Sequence, residues 1–268
     1  MNITIRELYS QADLDACVEL QEIVWGRGFS ERVPAALLRV SLRVGAVLAG
    51  AFDERGRLVG HVFGLTGVRD GMLIHWSDMM AVHPDARDRG IAERLKQFQR
   101  RLLLERNVRL AEWTFDPLEA RNAWLNFARF GGIAREYIRD FYGSSDSPLH
   151  TGIATDRLIV TWEVESDRVA NRMEGREPPP TADAFADAPF AFARNPAETG
   201  SPVTTGLTAP TVLVPIPPNI QDIKRTNPGL ANAWRLLTRA AFEDLLPRGY
   251  VVTEFVRAPD GGAYVLQR

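Results

Sequence analysis

Residues 79–106 read MMAVHPDARDRGIAERLKQFQRRLLLER, and the fold is decided in this stretch. Met79, Met80, Ala81 and Val82 make the apolar end of a strand, His83-Pro84-Asp85 breaks it, and a helix follows a basic loop, Arg87-Asp88-Arg89-Gly90-Ile91-Ala92. On that helix Ile91, Leu95, Phe98 and Leu102 recur at steps of four, three and four, which is one apolar stripe, while Glu93, Lys96, Arg100 and Arg101 face elsewhere. The pattern predicts a helix laid on a sheet.

The loop between them has a chemistry of its own. The first N–H groups of a helix lack internal partners and carry partial positive charge, so an anion can sit on bare backbone. Gly90 and Ala92 allow close approach, and Arg87 and Arg89 add charge suited to a pyrophosphate. A basic helix start facing only water is the bland alternative. There is no Gly-Lys-Ser/Thr of a nucleotide P-loop and no Gly-x-Gly-x-x-Gly after a strand.

Composition bounds the rest. The chain has 268 residues, 45% hydrophobic and 25% charged, enough for one good core and a second smaller one. A net charge of -2 argues against nucleic acid as partner, because phosphate-backbone binding needs a concentrated basic face. Lys96 and Lys224 are the only lysines, and Cys17 the only cysteine, so neither an intrachain disulfide nor a thiolate metal cluster can form. His61, His75, His83 and His150 show no paired spacing, and no metal site is expected. No run is long enough to span a bilayer and the start lacks a basic region followed by an apolar one, so the expected location is the cytoplasm, without membrane association.

In chain order, a strand at 3–8 leads to a helix with a capping box at Ser10 and Asp13, and a second helix runs over 34–44 with Pro34 in its opening turn. Strands at 46–53, 58–66 and 72–82 make an antiparallel meander. After the central helix come a strand at 110–115, a helix at 119–130, and strands at 135–142 and 157–165. From 174 to 210 prolines, among them Pro189, Pro196 and Pro202, interrupt any regular structure, yet Phe185, Phe190 and Phe192 suggest a segment pinned on a surface. The end reads as a strand at 212–216, a helical stretch at 219–246 interrupted near Asn227-Pro228-Gly229, and a hairpin turning at 259–262. The domains implied are 1–168, a Pro-rich connection at 169–210, and a small β-α-β-β unit at 211–268 packed on the first domain.

Arg87-x-x-Gly90-x-Ala92 after a strand ending Ala81-Val82 resembles the acyl-CoA pyrophosphate loop of the GNAT superfamily of N-acyltransferases. Trp113-Thr-Phe-Asp-Pro117, Arg121-Asn122-Ala123, Phe141-Tyr-Gly143 and Thr155-Asp-Arg-Leu158 resemble a largely uncharacterised bacterial branch, some members of which are linked to amino-acid N-succinylation. The resemblance covers roughly the first two thirds of the chain. It implies an α/β (α+β) fold with a mixed, mainly antiparallel sheet flanked by helices, here with a C-terminal extension. It implies further an acyl-CoA-dependent N-acyltransferase with acetyl-CoA or succinyl-CoA as donor and a small-molecule amine, with an amino acid foremost, as acceptor. A homodimer is left open.

On the same resemblance, Ala81, Val82, the loop residues Arg87, Asp88, Arg89, Gly90, Ile91 and Ala92, and Asn122 hold the CoA. Glu22, Trp25 and Arg157 are candidates for the substrate, Arg157 because a guanidinium grips a carboxylate in bidentate fashion. Asp78, Glu112 and Asp116 are candidate bases. The phenol that often protonates the leaving thiolate is replaced by Phe127, with Tyr142 as a substitute. That replacement favours the alternative of a non-catalytic GNAT-fold protein that binds acyl-CoA or another ligand. A third reading, with the activity in 210–268, lacks a clustered nucleophile, base or phosphate loop to support it.

Overall fold

The computed structural model describes residues 2–143, 152–194, 202–258 and 261–268. His150, Pro196, Pro259 and Asp260, and with them the tip of the last hairpin, lie outside the described residues. The chain is mixed α/β with mainly antiparallel strands flanked by helices. It divides into two compact units, the first running to Trp113 and including Glu163–Ser166, the second holding Thr114 onward apart from that insert. The division falls within the strand Leu110–Phe115.

In the first unit β1 (Thr4–Glu7), β2 (Val47–Phe52), β3 (Leu58–Arg69) and β4 (Met72–Val82) pair antiparallel in sequence order, and β5 (Leu110–Phe115) pairs parallel to β4. The β3–β4 hairpin is longer than the sequence suggested. Arg69 pairs with Met72 across Asp70-Gly71, both at positive φ, the two-residue turn that Asp-Gly favours, so β3 continues three residues past Thr66. Two helices, α1 (Gln11–Trp25) and α2 (Ala35–Arg43), bury Leu14, Cys17, Leu20 and Leu38 against Leu48, Phe63 and Met79. Ser10 accepts from Asp13 N at 3.1 Å and Asp13 caps Ser10 N in return, which completes the expected capping box. The central helix α3 (Ile91–Glu105) sets Ile91 and Leu95 on Ala49, Ala51, Val59 and Val62. Each such fully buried aliphatic side chain contributes roughly 1.5–3 kcal/mol.

In the second unit the strands run antiparallel in the order β7 (Arg157–Glu163), β6 (Ile133–Ile138), β9 (Val251–Ala258), β10 (Gly261–Gln267) and β8 (Thr211–Ile216). The C-terminal strands therefore extend the β6–β7 pair, through Ala134 opposite Val252. Its helices are α4 (Ala120–Ala123), which runs into a π-helical turn at Trp124–Arg129, then α5 (Asp167–Met173), α6 (Ile220–Thr226) and α7 (Pro228–Leu245). The Pro-rich stretch is held down in its described part: Ala182, Phe185, Ala188 and Phe190 pack on Leu213, Val256, Ala263 and Val265. Ala191 N donates to Leu213 O at 2.8 Å.

Candidate active site

The centre of the candidate site is where β4 ends. The parallel ladder joins Ile74, His75 and Trp76 to Leu110, Ala111 and Glu112. From Met79 to Val82 the strand is paired with β3, while no β5 pair extends past Trp76 among the described residues. The two parallel strands thus part company after Trp76, leaving backbone groups of β4 along one edge. A β-bulge accompanies the change: Phe63 faces Met79 and Leu65 faces Trp76, so Ser77 and Asp78 together lie opposite Gly64. Only glycine fits there, because a Cβ at Gly64 would stand 2.3 Å from His75 Nε2 and 2.5 Å from Trp76 O.

Beyond Val82 the chain makes a 3-10 turn, Pro84–Ala86, opened by His83, whose Nδ1 accepts from Asp85 N at 3.2 Å. Arg87, Asp88 and Arg89 are exposed, and Arg87 Nε donates back to Val82 O at 3.4 Å. Asp88 and Gly90 are both left-handed, with φ of 61° and 69°. Gly90 is the N-cap of α3 and brings no side chain, so no side-chain hydrogen bond closes the first turn. A capping serine or aspartate would occupy the groups that an anion needs. Ala92 stands half-buried in that first turn, and Ile91 is anchored in the core. What the loop can do chemically is receive phosphate oxygens on backbone N–H groups at the positive end of a fifteen-residue helix.

Beneath the bulge lies a polar chain that sequence reading missed. Lys96 does not face outward: it is 2% exposed, donates to Ser77 Oγ and Gln99 Oε1 at 2.9 Å each, and sits 3.7 Å from the centroid of the Trp113 ring. Gln99 continues to His75 Nε2 at 3.0 Å, and His75 Nδ1 meets Thr66 Oγ1 at 3.0 Å. Burial pulls the Lys96 pKa down to about 7, and burial, with help from Lys96, takes His75 down to about 3. The helical wheel put Lys96 off the main stripe. What brings it inside is the acceptor pair on either side of it and the face of Trp113, and the spacing Lys96-x-x-Gln99 on one helix was the available signal.

The candidate bases differ in what already holds them. Asp78 projects from the bulge with its side chain exposed, and its pKa is raised, by desolvation against an opposing hydrogen bond from Trp76. A carboxylate reachable from solvent yet ringed by enough protein to be desolvated suits proton uptake. Glu112 has both oxygens on Arg69, at 2.8 Å each. Asp116 accepts from Leu118 N at 2.8 Å on one oxygen and from Arg235 Nη2 at 2.7 Å on the other. Tyr142 is exposed, with its hydroxyl 3.0 Å from Thr114 Oγ1 and its ring 5.1 Å from the Arg157 guanidinium. Phe127 is buried between Phe115 and Tyr264.

Among the candidate ligand contacts, Glu22 pairs with Arg32, and Trp25 stacks on Phe29 at 5.6 Å. Asn122 is exposed on α4. Arg157 is buried, donating to Asp156 O at 2.9 Å and lying 3.8 Å from Asp116 Oδ2. The structure thus brings the loop residues together with Ala81, Val82 and Asp78 in the first unit, and Asp116, Arg157 and Tyr142 in the second. His61 is buried and its pKa is lowered to about 4 by that burial. Among the described residues no group of three or more His, Cys, Asp or Glu could hold a metal. No described helix is long and apolar enough to cross a membrane.

No family model matches the chain, and no curated protein does. Solved structures are similar in fold. They include the ribosomal-protein-S18-alanine N-acetyltransferase from Escherichia coli, at 17% identity and TM-score 0.48, covering 62% of this chain and 96% of that one. A GNAT-family acetyltransferase from Streptococcus pneumoniae is similar at 14% identity and TM-score 0.48, with 60% of this chain and 98% of that one covered. An N-acetyltransferase from Staphylococcus aureus Mu50, at 14% identity and TM-score 0.48, covers 62% of this chain and 100% of its own.

Proposed function

We propose that the protein is an acyl-CoA-dependent N-acyltransferase that moves an acetyl or succinyl group to the amine of a small molecule, with an amino acid as the acceptor class. The observation that carries this reading is the uncapped start of α3 at left-handed Gly90, placed directly after a β4 edge that β5 has left. The loop amides from Arg87 to Ala92 take the pyrophosphate, and Arg87 and Arg89 supply charge around it. The freed edge of β4, which includes Ala81 and Val82, pairs with the pantetheine amides and lends N–H groups to the thioester carbonyl. The amine nitrogen attacks that carbon, the C–N bond forms, and the C–S bond breaks with its electron pair left on sulfur. Asp78 accepts the ammonium proton, since the oxygens of Glu112 and Asp116 are engaged by Arg69 and by Arg235 with Leu118 N. CoA leaves as a thiolate, so the buried phenyl ring of Phe127 does not bar the reaction.

Burial of Phe127 in place of a phenol also favours a second reading, an acyl-CoA-binding protein without turnover. Calorimetric titration with CoA, acetyl-CoA and succinyl-CoA tests both, followed by thiol release from the preferred thioester in the presence of an amine pool. Gly90→Glu places a carboxylate on the phosphate seat in a left-handed conformation and is expected to weaken CoA at least about 100-fold with the fold retained. Unchanged affinity in a folded variant sinks the loop assignment. Thioester binding without thiol release would leave only the non-catalytic reading.

A further inference from the structure

The fork in the sheet of the first unit has a side chain built into it. The last pair of the parallel ladder is Trp76 with Glu112, and the next residues are Ser77 on β4 and Trp113 on β5. Lys96 of α3 reaches both. Its Nζ donates to Ser77 Oγ at 2.9 Å and stands 3.7 Å from the centroid of the Trp113 ring. The ammonium therefore sits where the two strands cease to pair.

Gln99, one turn further along the same helix, completes the hold on β4. Its Nε2 donates to Ser77 Oγ at 3.2 Å and lies 3.0 Å from His75 Nε2, while its Oε1 accepts from Lys96 Nζ at 2.9 Å. Ser77 and Asp78 are the two bulge residues opposite Gly64, so α3 holds the bulge through the first of them. By strand alternation the second, Asp78, turns away from α3 and is exposed.

Stability alone does not call for a lysine here. Burying an ammonium is costly, and an apolar side chain of similar volume in its place is often neutral or stabilising. What the ammonium adds is geometry: donors for Ser77 and Gln99, and attraction to the face of Trp113, none of which methionine offers.

We infer that Lys96 is a positioning residue, the pin that holds the β4–β5 fork and the Ser77–Asp78 bulge in the shape that receives the acyl donor. This deepens the acyltransferase reading and rests on it for the consequence, because the pinned edge is the one that carries Asp78, Ala81 and Val82. The pin itself can be measured without turnover.

The test compares the full chain with Lys96→Met, which keeps the stem and loses charge and donors. The thermal midpoint is expected to move by no more than about 3 °C. CoA affinity should stay within about 3-fold, because the phosphate seat at Gly90 is untouched. Amide hydrogen exchange at residues 76–80 should quicken about 10-fold or more, with α1 unchanged. Thiol release from acetyl-CoA or succinyl-CoA, whichever is preferred, should lose roughly 100-fold in kcat at a nearly constant KM, as for a donor that is bound but misplaced. A folded Lys96→Met with wild-type exchange at 76–80 overturns the inference, as does a loss that falls on KM alone or a kcat within about 3-fold of wild type. If Lys96→Met does not fold, Ser77→Ala takes its place, since it removes only the handle on β4. Faster exchange with a lower kcat then supports the pin, and wild-type values of either overturn it. A wild type that binds thioester and releases no thiol defeats the acyltransferase reading instead. The exchange comparison then decides the fork on its own, faster exchange upholding the pin and equal exchange removing it.

Discussion

Two arginine pairs in the second unit are each gathered around a largely buried carboxylate, Glu254 in one and Asp116 in the other. Around Glu254, Arg172 donates at 2.7 Å and Arg168 at 2.9 Å, and Glu177 stands 3.7 Å from Arg172. Arg168 also donates to Gly131 O at 3.1 Å and to Thr253 O. Around Asp116, Arg235 stands at 2.7 Å and Arg157 at 3.8 Å. Both pairs leave nitrogens without hydrogen-bond partners, on Arg172 and on Arg235, so orphaned N–H groups do not by themselves mark a ligand site. What separates the two is exposure: Glu177 reaches solvent beside Arg172, whereas the Asp116 and Arg235 side chains are 12% and 0% exposed.

That difference is broken most directly by removing the carboxylate of Asp116. Asp116→Asn removes the carboxylate that buried Arg235 holds at 2.7 Å, and an expected loss of about 3–5 kcal/mol in denaturant unfolding follows. Asparagine keeps the shape and can still accept from Leu118 N, so the loss would report the charge. A cost equal to that of the matching change at Glu254 would show that the pair with the fully buried guanidinium carries no more stability than its counterpart.

How much of this was legible in the sequence depends on whether backbone or side chains do the work. The loop was readable, because a strand, a break, a glycine and a periodic helix are local signals, and Gly90 is indeed left-handed at the cap. Capping at Ser10 and Asp13 was local too. Lys96 and Arg235 were not readable in the same way. Each lies on a helix beside an apolar stripe, and only partners distant in sequence, Trp113 and Asp116, show that it is buried. For Arg235 a faint signal existed: with Ala231, Thr238 and Phe242 it makes a second buried stripe on α7, and a charged residue within such a stripe asks for a partner. Glu112 and Asp116 looked like available carboxylates because ion pairing from Arg69 and Arg235 leaves no mark on spacing.

The Glu254 cluster offers a smaller effect and a pH signature. The pKa of Glu254 is raised, desolvation outweighing the attraction of Arg168 and Arg172. Between its unfolded value and this higher folded value the native state holds a proton that the unfolded chain has released, so stability falls as pH rises through that window. Glu254→Gln mimics the protonated form and keeps an acceptor. It is expected to cost only about 1–2 kcal/mol at neutral pH and to flatten the unfolding profile just above pH 4.5, measured by denaturant titration across pH 4–7. A steeper profile in the variant would assign the proton to another group.

Glu177 sharpens the comparison at its weakest point, because it is the exposed member of the Glu254 cluster. Its side chain is 55% exposed and 3.7 Å from Arg172, so solvent screens the attraction and Glu177→Gln should change stability by no more than about 0.5 kcal/mol. The small value has a structural meaning. Arg172 would then share Glu254 with Arg168 just as Arg157 and Arg235 share Asp116, but with solvent and ions able to reach the vacated place beside it. At Asp116 the Nε and Nη1 of Arg235 are sealed from water. A loss above about 2 kcal/mol for Glu177→Gln would mean that an exposed carboxylate carries much of that cluster's stability. In that event exposed Asp140, 3.9 Å from Arg239, would be expected to carry a comparable share beside Asp156.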